Sequence, residues 1–257
     1  MRPDEARRWP ALVAATLLVA PLAVLPVRAL ADVWRAPAVL PQEWGTRAVA
    51  YVASGNAGTL RALGLSVVVG VLTTVLALVL GWPVARGAAR RGARGYAVVA
   101  TFVALPLLVP EFATGTGLAA WFLRLGLADT VVGLVLAHLV YVFPYVVLIL
   151  APGFRAELTD LEEAAAALGA GPWQRLWHVS IPTLRSYVAT ATLLGFIVSL
   201  SQYGTSLAVG GGRPTLPLLL VPFVQTDPQI AAALGVVFLV PAIVALALAA
   251  RAGRQPV

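Results

Sequence analysis

Few side chains in this 257-residue chain are equipped for covalent chemistry. It has no cysteine, which removes disulfides, thiolate nucleophiles and cysteine-ligated metals. Its two histidines, His138 and His178, lie far apart in unlike surroundings, which argues against a histidine metal site. All 18 basic residues are arginine. A P-loop needs a lysine on the nucleotide phosphates, so any ATP that drives this protein must bind to another chain. Gly115-Thr116-Gly117 lacks the third glycine and the preceding strand of a dinucleotide turn. Ser206 has Gly204 before it but Ala208 after it, so no nucleophile elbow forms. No catalytic residue, metal or cofactor is expected. What remains is a small set of polar groups in apolar surroundings: Glu111, between Pro110 and Phe112, and the cluster Ser199, Ser201, Gln202 and Tyr203.

The surroundings identify the elements that carry these groups. Hydrophobic residues make up 60% of the chain and charged residues 11%, against about 25% charged in a soluble domain. A surface so poor in charge cannot keep a 26.8 kDa globule in solution, so the chain is a polytopic membrane protein. Six apolar runs cover residues 11–27, 65–85, 96–123, 131–150, 187–209 and 230–250. Each is long enough to cross about 30 Å of hydrocarbon as a helix, whereas barrel strands need only about 10 residues. The expected fold is one all-α domain, residues 1–257, with six transmembrane helices.

The net charge of +7 would point to nucleic acid in a soluble protein, but here the arginines sit between apolar runs. Six of them, Arg28, Arg35, Arg47, Arg61, Arg124 and Arg213, fall on one face of the six-span layout; the other twelve of the 18 fall on the opposite face. By the positive-inside rule both termini are cytoplasmic, and no nucleic-acid partner is expected. Arg7-Arg8, the first run and Ala29-Leu30-Ala31 also fit a cleavable signal peptide. Its removal would leave five spans in the same orientation, and Arg28 beside the site argues against cleavage.

Within this frame Glu111 lies in the third run. A charge at mid-bilayer costs about 2.5–3.5 kcal/mol on insertion scales, so it must face protein or water. Pro106 and Pro110 can interrupt that helix and free carbonyls for a cavity. Glu111 is thus a candidate for a translocation path or, nearer the interface, a structural residue. Ser199, Gln202 and Tyr203 form a second candidate patch, with interhelical packing as the alternative. Tyr141 and Tyr145, flanking Pro144, read as packing residues, and His138 as a satisfied interior histidine. An intramembrane Ser–His hydrolase is the enzyme alternative and lacks a motif.

The inner segment 153–185 contains ELTDLEEAAAALGAGPWQRLWHVSIPTLR. Asp160 followed three residues later by Glu163 fits a capping box. Ala164–Ala167 and Leu168 favour helix, Gly169 is the expected left-handed stop, and Gly171-Pro172 prevents continuation. A second short helix is expected over 173–179, ended by Pro182. Such a segment is either a helical connection or a docking element whose alanines allow close approach.

The segment resembles the EAA loop of the permease subunits of binding-protein-dependent ABC importers. That pattern is E-A-A, three residues, glycine, nine residues, then I-x-L-P. Here Glu163-Ala164-Ala165 is followed by three residues and Gly169, then nine to Val179-Ser180-Ile181-Pro182. Val for Ile and Ile for Leu are the departures, and both conserve volume. The resemblance implies that this loop is a coupling helix seated in a groove of an ATPase subunit, with Asp160, Glu162, Glu163, Ala164, Ala165, Gly169 and Pro182 as coupling residues. It further implies two cytoplasmic ATP-binding subunits, a second permease chain (identical or homologous), an external solute-binding protein, and a place in the bacterial inner membrane. Transport would proceed by alternating access. A secondary transporter working without an ATPase is the alternative. The C-terminal third, with Ser199-Leu200-Ser201-Gln202-Tyr203-Gly204, Gly210-Gly211-Gly212 and Thr215-Leu216-Pro217-Leu218, is similar to importers of the spermidine/putrescine, thiamine, ferric-iron and sulfate group. Relatives often carry an acid where Gln202 stands.

Overall fold

A computed structural model describes residues 3–55, 58–154 and 156–252. Of the arginines counted above, Arg2, Arg155 and Arg254 lie outside the described residues. The described chain is all-α apart from a short antiparallel ribbon, Ala31–Val33 with Glu43–Trp44. Its helices are α1 Pro3–Ala29, α2 Arg47–Ala53, α3 Thr59–Arg90, α4 Gly92–Ala104, α5 Glu111–Leu125, α6 Val131–Leu150 and α7 Ala156–Ala167. They continue as α8 Pro172–Arg175, α9 Ile181–Thr183, α10 Arg185–Ser201, α11 Gly204–Val209, α12 Leu216–Thr226 and α13 Pro228–Ala252.

Three stretches among the described residues are long and apolar enough to cross a membrane alone: Thr59–Arg90, Val131–Gly153 and Pro228–Arg251. Two others are bent pairs. Gly92–Leu108 meets Glu111–Leu125 at 89°, and Pro172–Thr183 meets Arg185–Ser201 at 80°. The third apolar run is therefore no continuous helix. Pro110 has no N–H to give the preceding turn and disfavours helical geometry at Val109, which is extended (φ −96°, ψ 129°). The fifth run is broken too, at Gln202 (φ −66°, ψ 97°), where no proline warns of it. Helix α12 is an element the hydropathy reading did not anticipate, short and with Pro222 inside it.

The chain packs as two units. The first combines Met1–Ala62 with Leu219–Val240. Its core joins Ala29, Ala48, Val52, Ile230, Ala233 and Leu234, with Tyr51 and Phe223 edge to face at 6.2 Å. Arg47 seals its polar end. The guanidinium donates to both carboxylate oxygens of Asp227 (2.8 and 3.1 Å) and to Gln229 Oε1 (2.6 Å), while Gln229 Nε2 donates to Asp32 (2.7 Å).

The second unit is Leu63–Leu218 with Pro241–Val257. Helix α6 is its axis: Leu134, Val142, Val146 and Leu150 are fully buried. Alanines 77 and 85 of α3 and Ala191 of α10 pack on its valines, the small-against-branched contact that lets membrane helices approach closely. Thr130 caps α6 by accepting from Gly133 N at 2.9 Å.

The inner segment departs from the expected capping. Helix α7 starts at Ala156, so Asp160 sits within it and no capping box forms there. Leu158, buried to 3% exposure, anchors the extra turn. Beyond Gly171, the expected helix over 173–179 is only one turn, α8, followed by a π turn Leu176–Ser180 and then α9. Pro182 lies inside α9 rather than ending a helix, because a proline in the first turn forfeits no hydrogen bond.

Candidate functional site

The two span breaks meet. Gln202, at the end of α10, donates from Nε2 to Glu111 Oε1 (3.0 Å), the first residue of α5. Thr205 Oγ1 donates to Gln202 Oε1 (2.7 Å), and Ser206 Oγ donates to the Gln202 carbonyl (2.7 Å). A buried histidine closes the chain of bonds. His138 Nδ1 lies 2.8 Å from Ser199 Oγ and Nε2 lies 2.9 Å from Ser206 Oγ. Ser206 has already given its proton to Gln202, so it accepts from Nε2–H, and in the neutral ring Nδ1 accepts from Ser199.

On the other side of the break, the Tyr141 hydroxyl donates to the carbonyl of the extended Val109 (2.8 Å). It also lies 2.8 Å from Thr114 Oγ1. A hydroxyl donates once, so Thr114 is the donor there. Close backbone approach makes the meeting possible. A Cβ on Gly204 would come within 2.9 Å of Phe112 N, and one on Gly115 within 3.0 Å of Gly204 O. The polar groups that break the helices are thus mutually satisfied in an apolar setting, as unpaired backbone in a membrane requires.

Of the candidate path residues, the structure joins Glu111, Gln202 and, through His138, Ser199. Tyr203 is half-buried at the break and outside this chain of bonds. Gln202 is 2% exposed.

The second site is the loop after α6. Gly169 has φ +86°, with Gly169 N donating to Ala166 O and Ala170 N to Ala165 O. This is a Schellman stop, which favours glycine. Asp160, Glu163, Ala164, Gly169 and Pro182 are exposed and Ala165 is half-buried. Leu168 (90% exposed), Trp173 (69%) and Trp177 (51%) add an apolar surface, the two indoles stacking edge to face. Glu162 differs. It is turned inward at 5% exposure, ion-paired with Arg86 at the end of α3 and accepting from Ser180 Oγ (2.5 Å).

Residues 77–254, which include both breaks and the whole loop, match the family model described as the binding-protein-dependent transport system inner membrane component. The chain belongs to this family. It is 32% identical to the molybdenum transport system permease protein of Mycobacterium tuberculosis over 97% of this chain and 96% of that protein. The corresponding Azotobacter vinelandii protein is 36% identical over 60% of this chain and 74% of its own length. A bacterial ABC transporter structure involved in import of the acidic polysaccharide alginate shares the fold, with TM-score 0.71, 18% identity and 98% coverage of both chains.

This permease is therefore a membrane subunit of an ATP-driven importer, multi-pass in the inner membrane. Membership in the family brings an ATPase subunit and a substrate-binding protein as partners, and leaves the permease itself a non-catalytic component. The 163–182 pattern carried that family from sequence alone. His138, Thr205, Ser206, Gly115, Gly204 and Arg86 were not among the expected site residues. A histidine and two small hydroxyls in apolar runs were the available signal, but periodicity does not say which polar groups face one another.

Proposed function

We propose that this permease moves molybdenum as its oxyanion, molybdate, between two states of a path running past the breaks at Pro110 and Gln202. The observation that carries the reading is 32% identity to a molybdenum permease over nearly the full length of both chains. The chemistry agrees. An oxyanion in transit can be passed between uncharged donors, and Ser199, Gln202 and Tyr203 carry hydroxyl and amide groups. Glu111 would repel a dianion, so its role is to hold the Gln202 amide in place at the edge of the path. Because Gln202 is buried, its exposure marks the step that opens the path.

On this reading the three long helices, the bent pair Gly92–Leu108 with Glu111–Leu125, α10 with α11, and α1 make six spans in one domain, with both termini cytoplasmic. The loop faces the cytoplasm, and one of two ATPases seats on its Asp160, Glu163, Ala164, Ala165, Gly169 and Pro182, together with the exposed Leu168 and Trp173. Glu162 acts from inside by tying the loop to α3. A second permease chain, identical or homologous, completes the pore. ATP binding closes the ATPases and moves the loops; each ligand shifts the equilibrium only by its differential affinity for the two states.

Uptake of radiolabelled molybdate by the assembled importer tests the cargo. Saturable, ATP-dependent uptake that excess sulfate does not abolish is expected; uptake of sulfate in preference to molybdate would overturn the assignment. Single cysteines in this cysteine-free chain test the topology. Ser54→Cys and Gly211→Cys should label from outside, Arg91→Cys and Gln174→Cys only from inside. Outside labelling of Gln174→Cys would overturn the six-span arrangement.

A further inference from the structure

Beside the Glu162–Arg86 pair lies a cavity of about 70 Å³ lined by Arg86, Glu162, Pro172, Arg175, Leu176 and Ser180. Its hydrogen-bond accounting is unbalanced. Glu162 has engaged one oxygen with Arg86 and the other with Ser180 Oγ. Ser180 has one proton, and its other acceptor within reach is the Arg175 carbonyl (3.3 Å). The Arg175 guanidinium forms no ion pair among the described residues, and its Nε is buried without an acceptor. A buried donor left unpaired is costly, and the side chain that carries it lines the cavity.

The lining therefore offers surplus N–H donors and a formal charge of +1 from two guanidinium groups and one carboxylate, with both Glu162 oxygens already engaged. A cation would be repelled. A neutral donor would leave the unpaired Arg175 N–H unsatisfied. A compact ligand that only accepts, and that carries negative charge, satisfies both arginines; the planar guanidinium fork matches the edge of a tetrahedral oxyanion. Glu162 does not prevent this, since Arg86 and Ser180 already neutralise and occupy it.

We propose that this cavity binds a phosphate-type oxyanion, free or carried on a lipid headgroup, held by Arg175 with Arg86. Bound there, it ties the α8–π-turn segment to the end of α3 through a second link beside the Glu162 pair. The site is separate from the span breaks, and the proposal holds whatever solute the importer carries.

The test is equilibrium binding of radiolabelled inorganic phosphate to the full chain in detergent. Saturable binding of one phosphate per chain is expected, weakened about tenfold or more by Arg175→Gln. Arg175→Lys keeps the charge, loses the fork and should fall between. Arg124→Gln, an exposed arginine outside the cavity, should bind as the wild type does; an equal loss of phosphate there would show that binding follows overall charge and overturn the proposal. Unsaturable binding, or equal affinity in both Arg175 variants and the wild type, would also overturn it. Transfer to phospholipid nanodiscs separates the sources: displacement of phosphate identifies a headgroup as occupant, and retention identifies the free anion.

Discussion

Glu162 and Arg86 are ion-paired across 76 positions of sequence, and the second carboxylate oxygen of Glu162 is held by Ser180. One buried side chain thus joins α7, the π turn and the end of α3. In the coupling role proposed above, a loop that moves as a unit under an ATPase needs such an internal tie. Arg86→Ala leaves Glu162 buried beside a lone serine. It should lower stability by about 2 kcal/mol, less than for a fully buried pair because Arg86 is one-third exposed. In the assembled importer it should leave ATP hydrolysis running while uptake falls. Normal uptake per ATP hydrolysed by Arg86→Ala would remove the tie from the coupling mechanism.

Gly169 makes the sharpest single-residue prediction. At φ +86° with open space around its Cβ position, substitution clashes with nothing and strains only the backbone. Gly169→Val should cost about 1 kcal/mol or more in the turn, weaken ATPase docking and abolish uptake, while Gly169→Asn should be milder. Co-purification of the ATPase with each variant measures this. Retention of the ATPase at wild-type levels by Gly169→Val, with normal uptake, would make the loop an ordinary connection.

At the span breaks, Glu111→Gln preserves an acceptor for Gln202, so uptake should stay within about twofold of wild type. Glu111→Ala removes that acceptor and should reduce uptake about tenfold, the effect of one lost hydrogen bond to a charged group. Loss of uptake in Glu111→Gln equal to that in Glu111→Ala would show that the charge itself is required.

The Arg47–Asp227 pair predicts a pH dependence. The hydrogen bond from Arg47 holds the Asp227 carboxyl below its ordinary range, against an opposing contribution from burial. A depressed carboxyl contributes stability that is complete above its unfolded pKa and is lost as pH falls through the folded value. Arg47 is charged in both states at these pH values and adds no slope. The effect is below about 1 kcal/mol, because Arg47 is half exposed and screened. Thermal melts from neutral to acid pH should therefore show a small wild-type advantage over Arg47→Ala that fades in acid. An advantage that persists unchanged below the folded value would show that the pair is not its source.

Local features were legible in the sequence. Helix α6 runs over the predicted 131–150, because an apolar run long enough to span, opened by a capping threonine, stays helical even with Pro144 inside it. The positive φ of Gly169 was equally predictable, since a helix followed by Gly-Ala-Gly-Pro must stop and only glycine enters that geometry freely. The family pattern in 163–182 is likewise a matter of spacing. Tertiary structure decided the rest. Hydropathy assigned Asp160, Glu162 and Glu163 to one polar stretch, but the approach of Arg86 and Ser180 turned Glu162 inward while its neighbours stayed exposed. The fifth run reads as one helix because nothing in it forbids a helix. It breaks at Gln202 because Glu111, Thr205 and Ser206, brought there by other helices and by the next turn, replace the bonds that a continued helix would have made. A sequence states what each helix face offers; which groups satisfy one another depends on the partner across the gap, and in an apolar medium that pairing determines where a span can bend.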